Sequence, residues 1–182
     1  MKILFYCPFN FNLKTIKNSF LGGIESLNID LSKEIAKRKK YKVYLASLTN
    51  KKTISSKVTN IPIDELIQNN NNYSFDYIIS SNDSKIFDKF QYAKKIFWMH
   101  NTLSIEKAVR KKKLVPLLVN NITTVFVSKF LMNITSSLYF FNKKRIISNF
   151  LTRDFIFDKV PILRNPIFVW TVQRNRGLAE TL

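Results

Sequence analysis

Apolar positions along the chain fall into two alternating patterns. Short runs rich in β-branched and aromatic residues, at 2–7, 42–48, 75–80, 95–100, 124–128 and 145–148, predict strands. Several are apolar almost throughout, as expected of strands covered on both faces. Stretches of helical period lie between them. The clearest spans 24 to about 39, with Ile24, Leu27, Leu31, Ile35 and Ala36 on one face. Its end carries Lys37, Arg38, Lys39 and Lys40, which suit the negative end of the helix dipole. Further helices are predicted at 64–69, 84–92, 103–110, 114–120 and 129–140, and the asparagine run 69–72 reads as a loop. Strands alternating with helices predict an α/β fold, a parallel sheet wrapped by helices.

The pattern changes near the C-terminal end. Residues 149–165 are weakly periodic and contain Pro161, and Pro166 then opens a new strand, 167–172. A turn at 173–177 and one helical turn at 178–182 follow. The expected organisation is a first domain at 1–148, a linker at 149–166, and the opening of a second βα domain at 167–182. A strand, a turn and one helical turn cannot bury a core, so the chain reads as a fragment of a two-domain protein.

Composition narrows the classes. A length of 182 residues suits one α/β domain and is too short for two. With 46% hydrophobic residues the chain is expected to fold rather than stay disordered. The lone Cys7 lies in an apolar run, which predicts a buried thiol and a reducing, cytoplasmic setting. Asn and Lys interrupt every apolar stretch before the ~18–20 residues of a membrane helix. The N-terminal run breaks at Asn10 and Asn12 with no cleavage site after it, so a first strand is expected rather than a signal peptide.

The net charge of +18 attracts polyanions, whether phosphorylated substrates, anionic lipid or nucleic acid. Abundant Lys, Asn, Ile and Phe also fit the coding bias of an AT-rich genome, which accounts for part of that excess. Nucleic-acid binding calls for stacking aromatics among the basic residues. Here the aromatics fall in predicted strands, so no nucleic-acid partner is expected.

Candidate chemistry gathers at strand ends. Gly22-Gly23 separates the first strand from the first helix, where glycines permit close backbone approach and helix amides attract an anion. A plain flexible turn explains the same pair. His100, the only histidine, ends a predicted strand just before Asn101, which places it at the same carboxyl edge of the sheet. It is fit to donate a hydrogen bond to a substrate hydroxyl or phosphate, or to serve structure alone. No Cys or His stands ready to share a metal with it. Ser80-Ser81-Asn82-Asp83 and Ser128-Lys129 also follow strands, as cleft residues or as helix N-caps. Lys107, Arg110, Lys111, Lys112 and Lys113 lie beside Leu103, Ile105, Leu114, Leu117 and Leu118. That mixture suits either an anionic membrane surface or a solvated helix end.

These segments, in this order, resemble glycosyltransferase family 4. The resemblance rests on Gly22-Gly23-Ile24-Glu25-Ser26-Leu27, Phe97-Trp98-Met99-His100-Asn101, Val125-Phe126-Val127-Ser128-Lys129, Ile147-Ser148-Asn149-Phe150 and the stretch 168–178. It implies the N-terminal half of a GT-B architecture, two facing Rossmann-like domains. It implies retaining, metal-independent sugar transfer from a nucleotide-sugar donor to a glycan or lipid-linked acceptor, with no cofactor. Members build lipopolysaccharide, capsule or glycolipid at the inner face of the membrane, so peripheral contact with an anionic membrane is expected. By the same resemblance Gly22, Gly23, Arg174 and Arg176 meet the donor phosphates, His100 approaches the donor sugar, and Glu25, Asn101 and Ser128 line the acceptor cleft. The basic turn departs from the family pattern, because Arg174 and Arg176 are nearly adjacent where a longer insert is usual. The paired glutamates of the second domain are absent, so little or no activity is expected of this chain alone. The alternative is a non-catalytic basic module that docks on an anionic membrane or a partner.

Overall fold

A computed structural model describes residues 1–11, 21–103, 105–135 and 143–149. All belong to one compact unit, Met1–Phe150. Apart from Asn149, the linker and the start of a second domain expected from the sequence, with Arg174 and Arg176, lie outside the described residues.

The unit is an α/β sheet flanked by helices. Its strands are β1 (Lys2–Tyr6), β2 (Lys42–Ser47), β3 (Thr53–Ser55), β4 (Val58–Pro62), β5 (Tyr77–Ser81), β6 (Lys94–Met99), β7 (Ile122–Phe126) and β8 (Lys143–Ile146). The helices are α1 (Gly23–Ala36), α2 (Ile63–Gln68), α3 (Ile105–Arg110), α4 (Leu114–Val119) and α5 (Lys129–Ile134). The sheet runs β3-β4-β2-β1-β5-β6-β7-β8, and every pairing is parallel except β3 with β4. From β1 the chain winds outward through β2 to β4, and from β5 it winds the other way. This Rossmann-like winding puts the topological switch point between β1 and β5. The crevice beyond the carboxyl ends of those strands is where such sheets bind ligands.

Strand pleating divides the core. Leu4 and Tyr6 of β1 face a large cluster that holds Phe75, Phe87, Phe97, Met99 and Phe126, together with residues of α2, α3, α4 and α5. Ile3, Phe5 and Cys7 face the other side, where Ile29 and Ala36 of α1 cover them. A third cluster joins Leu27 of α1 to Trp98 and Val125. Cys7 is fully buried, as its apolar setting predicts, and burial pushes its thiol pKa up.

Several expectations need correction. The hairpin β3–β4 was not foreseen. Its two-residue turn, Ser56-Lys57, has φ of 50° and 66° and lacks the Asn-Gly signal that usually marks such a turn. Helix α1 stops at Ala36, so Lys37 is its cap and Arg38, Lys39 and Lys40 follow it. Its buried face is also rotated from the apolar stripe. Leu27, Asn28, Ile29, Ser32 and Ala36 are buried, whereas Ile24, Leu31 and Ile35 are only partly so. The segment read as a helix at 84–92 is a 3₁₀ turn, Lys85–Lys89, and the asparagine run forms another, Asn70–Asn72. β7 and β8 each start two residues before their predicted positions, and β5 starts two residues after. Phe75 serves as an aromatic hub rather than a strand residue, with Tyr44 and Phe90 rings edge-on at 5.4 and 5.3 Å.

The end of α3 bears on the site. Lys113 N–H donates to Ala108 C=O at 2.8 Å and Lys112 N–H donates to Val109 C=O at 2.9 Å, the paired bonds of a Schellman motif. Lys112 holds the left-handed position with φ of 54°, where glycine is favoured. Lys112→Gly is expected to stabilise the unit by about 0.5–1 kcal/mol, since relief of the side-chain clash exceeds the added chain entropy. A denaturant melt checks this, and an unchanged or lower midpoint contradicts it.

Candidate functional site at the carboxyl edge of the sheet

The edge beyond β1, β5 and β6 collects most of the predicted residues. Asn82, directly after β5, adopts φ of 57°, which an asparagine tolerates better than most residues. The bend lets its side-chain oxygen accept the His100 backbone N–H at 3.0 Å, while its own N–H donates to Trp98 C=O at 3.2 Å. Asn82 thus clasps the end of β6 and sets where His100 leaves the sheet. The sequence grouped Asn82 only with generic strand-end polar residues.

His100 is half-buried, with its ring tilted 46° against Trp98 at a centroid distance of 4.6 Å. Burial lowers its pKa to about 4, so the imidazole is neutral at pH 7. Its Nε2 and the Trp98 Nε1 are both buried and lack hydrogen-bond partners among the described residues. Buried polar atoms left unpaired are rare, because each forfeits hydration without compensation. Two on ring neighbours in contact make this spot a candidate for ligand contact.

Gly22 is the N-cap of α1, with extended backbone and no side-chain cap. A Cβ on Gly22 would collide with the Glu25 carboxylate, which folds back from the first turn of the helix. The chain's own anion therefore faces the helix N-terminus that the sequence offered to donor phosphates. Gly23 differs, for a Cβ there would meet nothing within 4 Å. Asn28, one turn further along α1, is fully buried. Its amide donates to Ile24 C=O at 2.8 Å and meets the Ser81 hydroxyl at 2.8 and 3.1 Å. That bond ties α1 to the end of β5 across the switch point. Sequence reading missed it, because an asparagine in mid-helix carries no sign of its partner.

Ser128 resolves as an N-cap. Its hydroxyl accepts Leu131 N–H at 3.0 Å at the start of α5, the capping role that the sequence offered alongside a cleft position. Asp83 accepts Lys85 N–H at 3.1 Å and stands 3.4 Å from Lys113 Nζ. Lys113 also donates to Asn82 C=O at 2.7 Å. Burial lowers the Lys113 pKa, and Asp83 opposes that shift.

On the α3 side, a pocket of about 130 Å³ opens between Asn82, Phe97, Asn101, Thr102 and three lysines, Lys107, Lys111 and Lys113. Asn101, expected in the cleft, is exposed there. Phe97 and Trp98 point to opposite faces of β6, so the lysine pocket and the His100–Trp98 pair flank the strand end from its two sides. Among the described residues no cluster of three or more potential metal ligands occurs, and no helix is long and apolar enough to cross a membrane.

Compared with protein-family models and with curated proteins, the chain matches none.

Proposed function

We propose that this chain is the acceptor-side domain of a retaining, metal-independent glycosyltransferase of the family 4 type. The carrying observation is the unpaired, neutral His100 beside the switch point of a doubly wound sheet, with the Gly22-Gly23 entry to α1 at the same edge. A neutral imidazole in a desolvated site donates from one nitrogen and accepts at the other, which suits the hydroxyls of a sugar. In this reading the donor is a nucleotide-sugar, and Gly23 is where the backbone approaches its phosphates most closely. Arg174 and Arg176 would hold the diphosphate, and the acceptor would be a glycan or lipid-linked saccharide in envelope polysaccharide or lipopolysaccharide synthesis. The setting would be the cytoplasmic face of the membrane.

The test is release of nucleoside diphosphate by the complete gene product, offered UDP-, GDP- and ADP-linked hexoses with envelope glycolipid extracts. Acceptor-dependent release from one donor is the expected result. Release from none of them, by folded protein, removes the transferase reading.

One observation favours the non-catalytic alternative, a module that docks on anionic membrane. Val109, Val115 and Val119 are 57%, 64% and 71% exposed on α3 and α4, next to Arg110, Lys111 and Lys112. Apolar side chains set among lysines are a common membrane-surface arrangement. Vesicle binding with no sugar transfer would favour this reading.

A further inference from the structure

The pocket between α3 and the ends of β5 and β6 differs from the His100–Trp98 site in chemistry as well as place. Lys107 and Lys111 stand one helical turn apart, with Lys111 N–H donating to Lys107 C=O at 3.0 Å. The Schellman turn then reverses the chain, so that Lys113 returns to the same cavity. Lys113 is held in place, with its ammonium bound to Asn82 C=O and near Asp83 and its side chain only 15% exposed. Lys85, Arg110 and Lys112 rim an adjoining hollow that shares Lys111 and Lys113. Among the described residues, Asp83 is the only acidic one lining either space. Lys111 and Lys85 repel the Lys113 ammonium, and an anion bound beside it removes that cost.

Size and donor type narrow the ligand. A volume of 130 Å³ equals about four water molecules, well below the ~300 Å³ where pockets for whole small molecules begin. The pocket therefore takes one group of a larger molecule. Its cations are ammonium groups, point charges of the kind that bind phosphate, and three of them suit the roughly double negative charge of a phosphoryl group better than the single charge of a carboxylate. Asn101 and Thr102 add neutral polar groups.

We propose that the pocket formed by Asn82, Asn101, Thr102, Lys107, Lys111 and Lys113 binds a phosphoryl group, the anionic handle of a phosphorylated acceptor. Phosphoryl binding stands on the pocket alone, and only its assignment to an acceptor rests on the transferase reading. Nucleoside diphosphate release therefore tests the one and anion binding tests the other.

The experiment titrates the full chain with inorganic pyrophosphate at constant ionic strength, and separately with phosphatidylglycerol vesicles. It compares wild type, Lys107→Gln/Lys111→Gln, and a control pair outside the pocket, Lys37→Gln/Lys39→Gln. Circular dichroism confirms that each is folded, and Lys111→Gln alone substitutes if the double variant is not. The pocket variant is expected to bind pyrophosphate at least 10-fold more weakly than the control pair. Parallel loss of vesicle binding would identify a lipid-borne phosphoryl group, and intact vesicle binding a soluble one. Equal weakening by both variants would mean diffuse attraction to a basic surface and would overturn the proposal. Pocket dependence seen with vesicles but not with pyrophosphate would overturn it in favour of a membrane-docking face.

Discussion

Asn28→Asp is expected to destabilise the folded unit by about 3 kcal/mol at pH 7, lowering its melting temperature by roughly 10 °C. The substitution changes almost no volume, so packing is not the cause. Asn28 is fully buried, and its amide nitrogen donates to Ile24 C=O and to the Ser81 hydroxyl. An aspartate puts an oxygen where that nitrogen was, facing a carbonyl oxygen with no proton between them. The residue then either holds a charge away from water or keeps a proton that it would lose in the unfolded chain. The second route raises its folded-state pKa above the unfolded ~3.9. Stability is then lost as pH rises through the raised pKa and regained as pH falls through it, because the protonated acid again donates to Ile24. Denaturant melts of wild type and variant at pH 7 and pH 5 measure both effects. A difference below about 1 kcal/mol at pH 7 would mean that the Asn28–Ser81 tie contributes little to holding α1 against the sheet.

Replacing His100 is expected to act on two separate readouts. If the protein is the proposed transferase, His100→Gln in the complete gene product should reduce sugar transfer by about 100-fold, the usual cost of removing one positioned hydrogen-bonding group at a reacting centre. Glutamine keeps polar capacity and much of the bulk over Trp98, so folding should persist. Unchanged turnover would return His100 to a structural part. The second readout is pH. Burial lowers the His100 pKa to about 4 from the ordinary 6.5, so below pH 6.5 the unfolded chain takes up a proton that the folded chain resists. The stability that depends on a neutral His100 is complete above pH 6.5 and is lost as pH falls toward 4. Solvent screens this half-buried site, so the loss should amount to roughly 1–2 kcal/mol. Other groups titrate in that range, so the measurement is the difference between wild type and His100→Gln across pH 4–7. A gap that stays constant with pH would show that His100 is no more desolvated in the folded chain than in the unfolded one.

Legibility followed the range of the forces involved. β1, β2, β5, β6 and β7 were readable because strands buried on both faces must be largely apolar, and that requirement is written into consecutive residues, whereas β8 is a mostly exposed edge strand, Lys-Lys-Arg-Ile, that lies two residues ahead of its predicted place. α1 was readable from its period, and the burial of Cys7 from its apolar neighbours. The β3–β4 hairpin was hidden because its turn uses Ser56-Lys57 in left-handed geometry, which pairing across the hairpin sustains against local preference.

At the site, the sequence by itself determined that Gly22, Gly23, His100 and Asn101 follow strands, and hence that an α/β sheet would bring them to one edge. It did not determine what they face there. That Ser128 caps α5 was decided by the local turn, which brings its hydroxyl to Leu131 N–H. That Asn82 clasps His100, that Asn28 reaches Ser81 across 53 positions, and that Lys113 returns to the cavity of Lys107 and Lys111 were decided by the tertiary structure. Hydrophobic periodicity is a property of neighbours along the chain. The partner of a polar group is set by which distant segment packing brings within hydrogen-bond reach, and no single sequence spells that out.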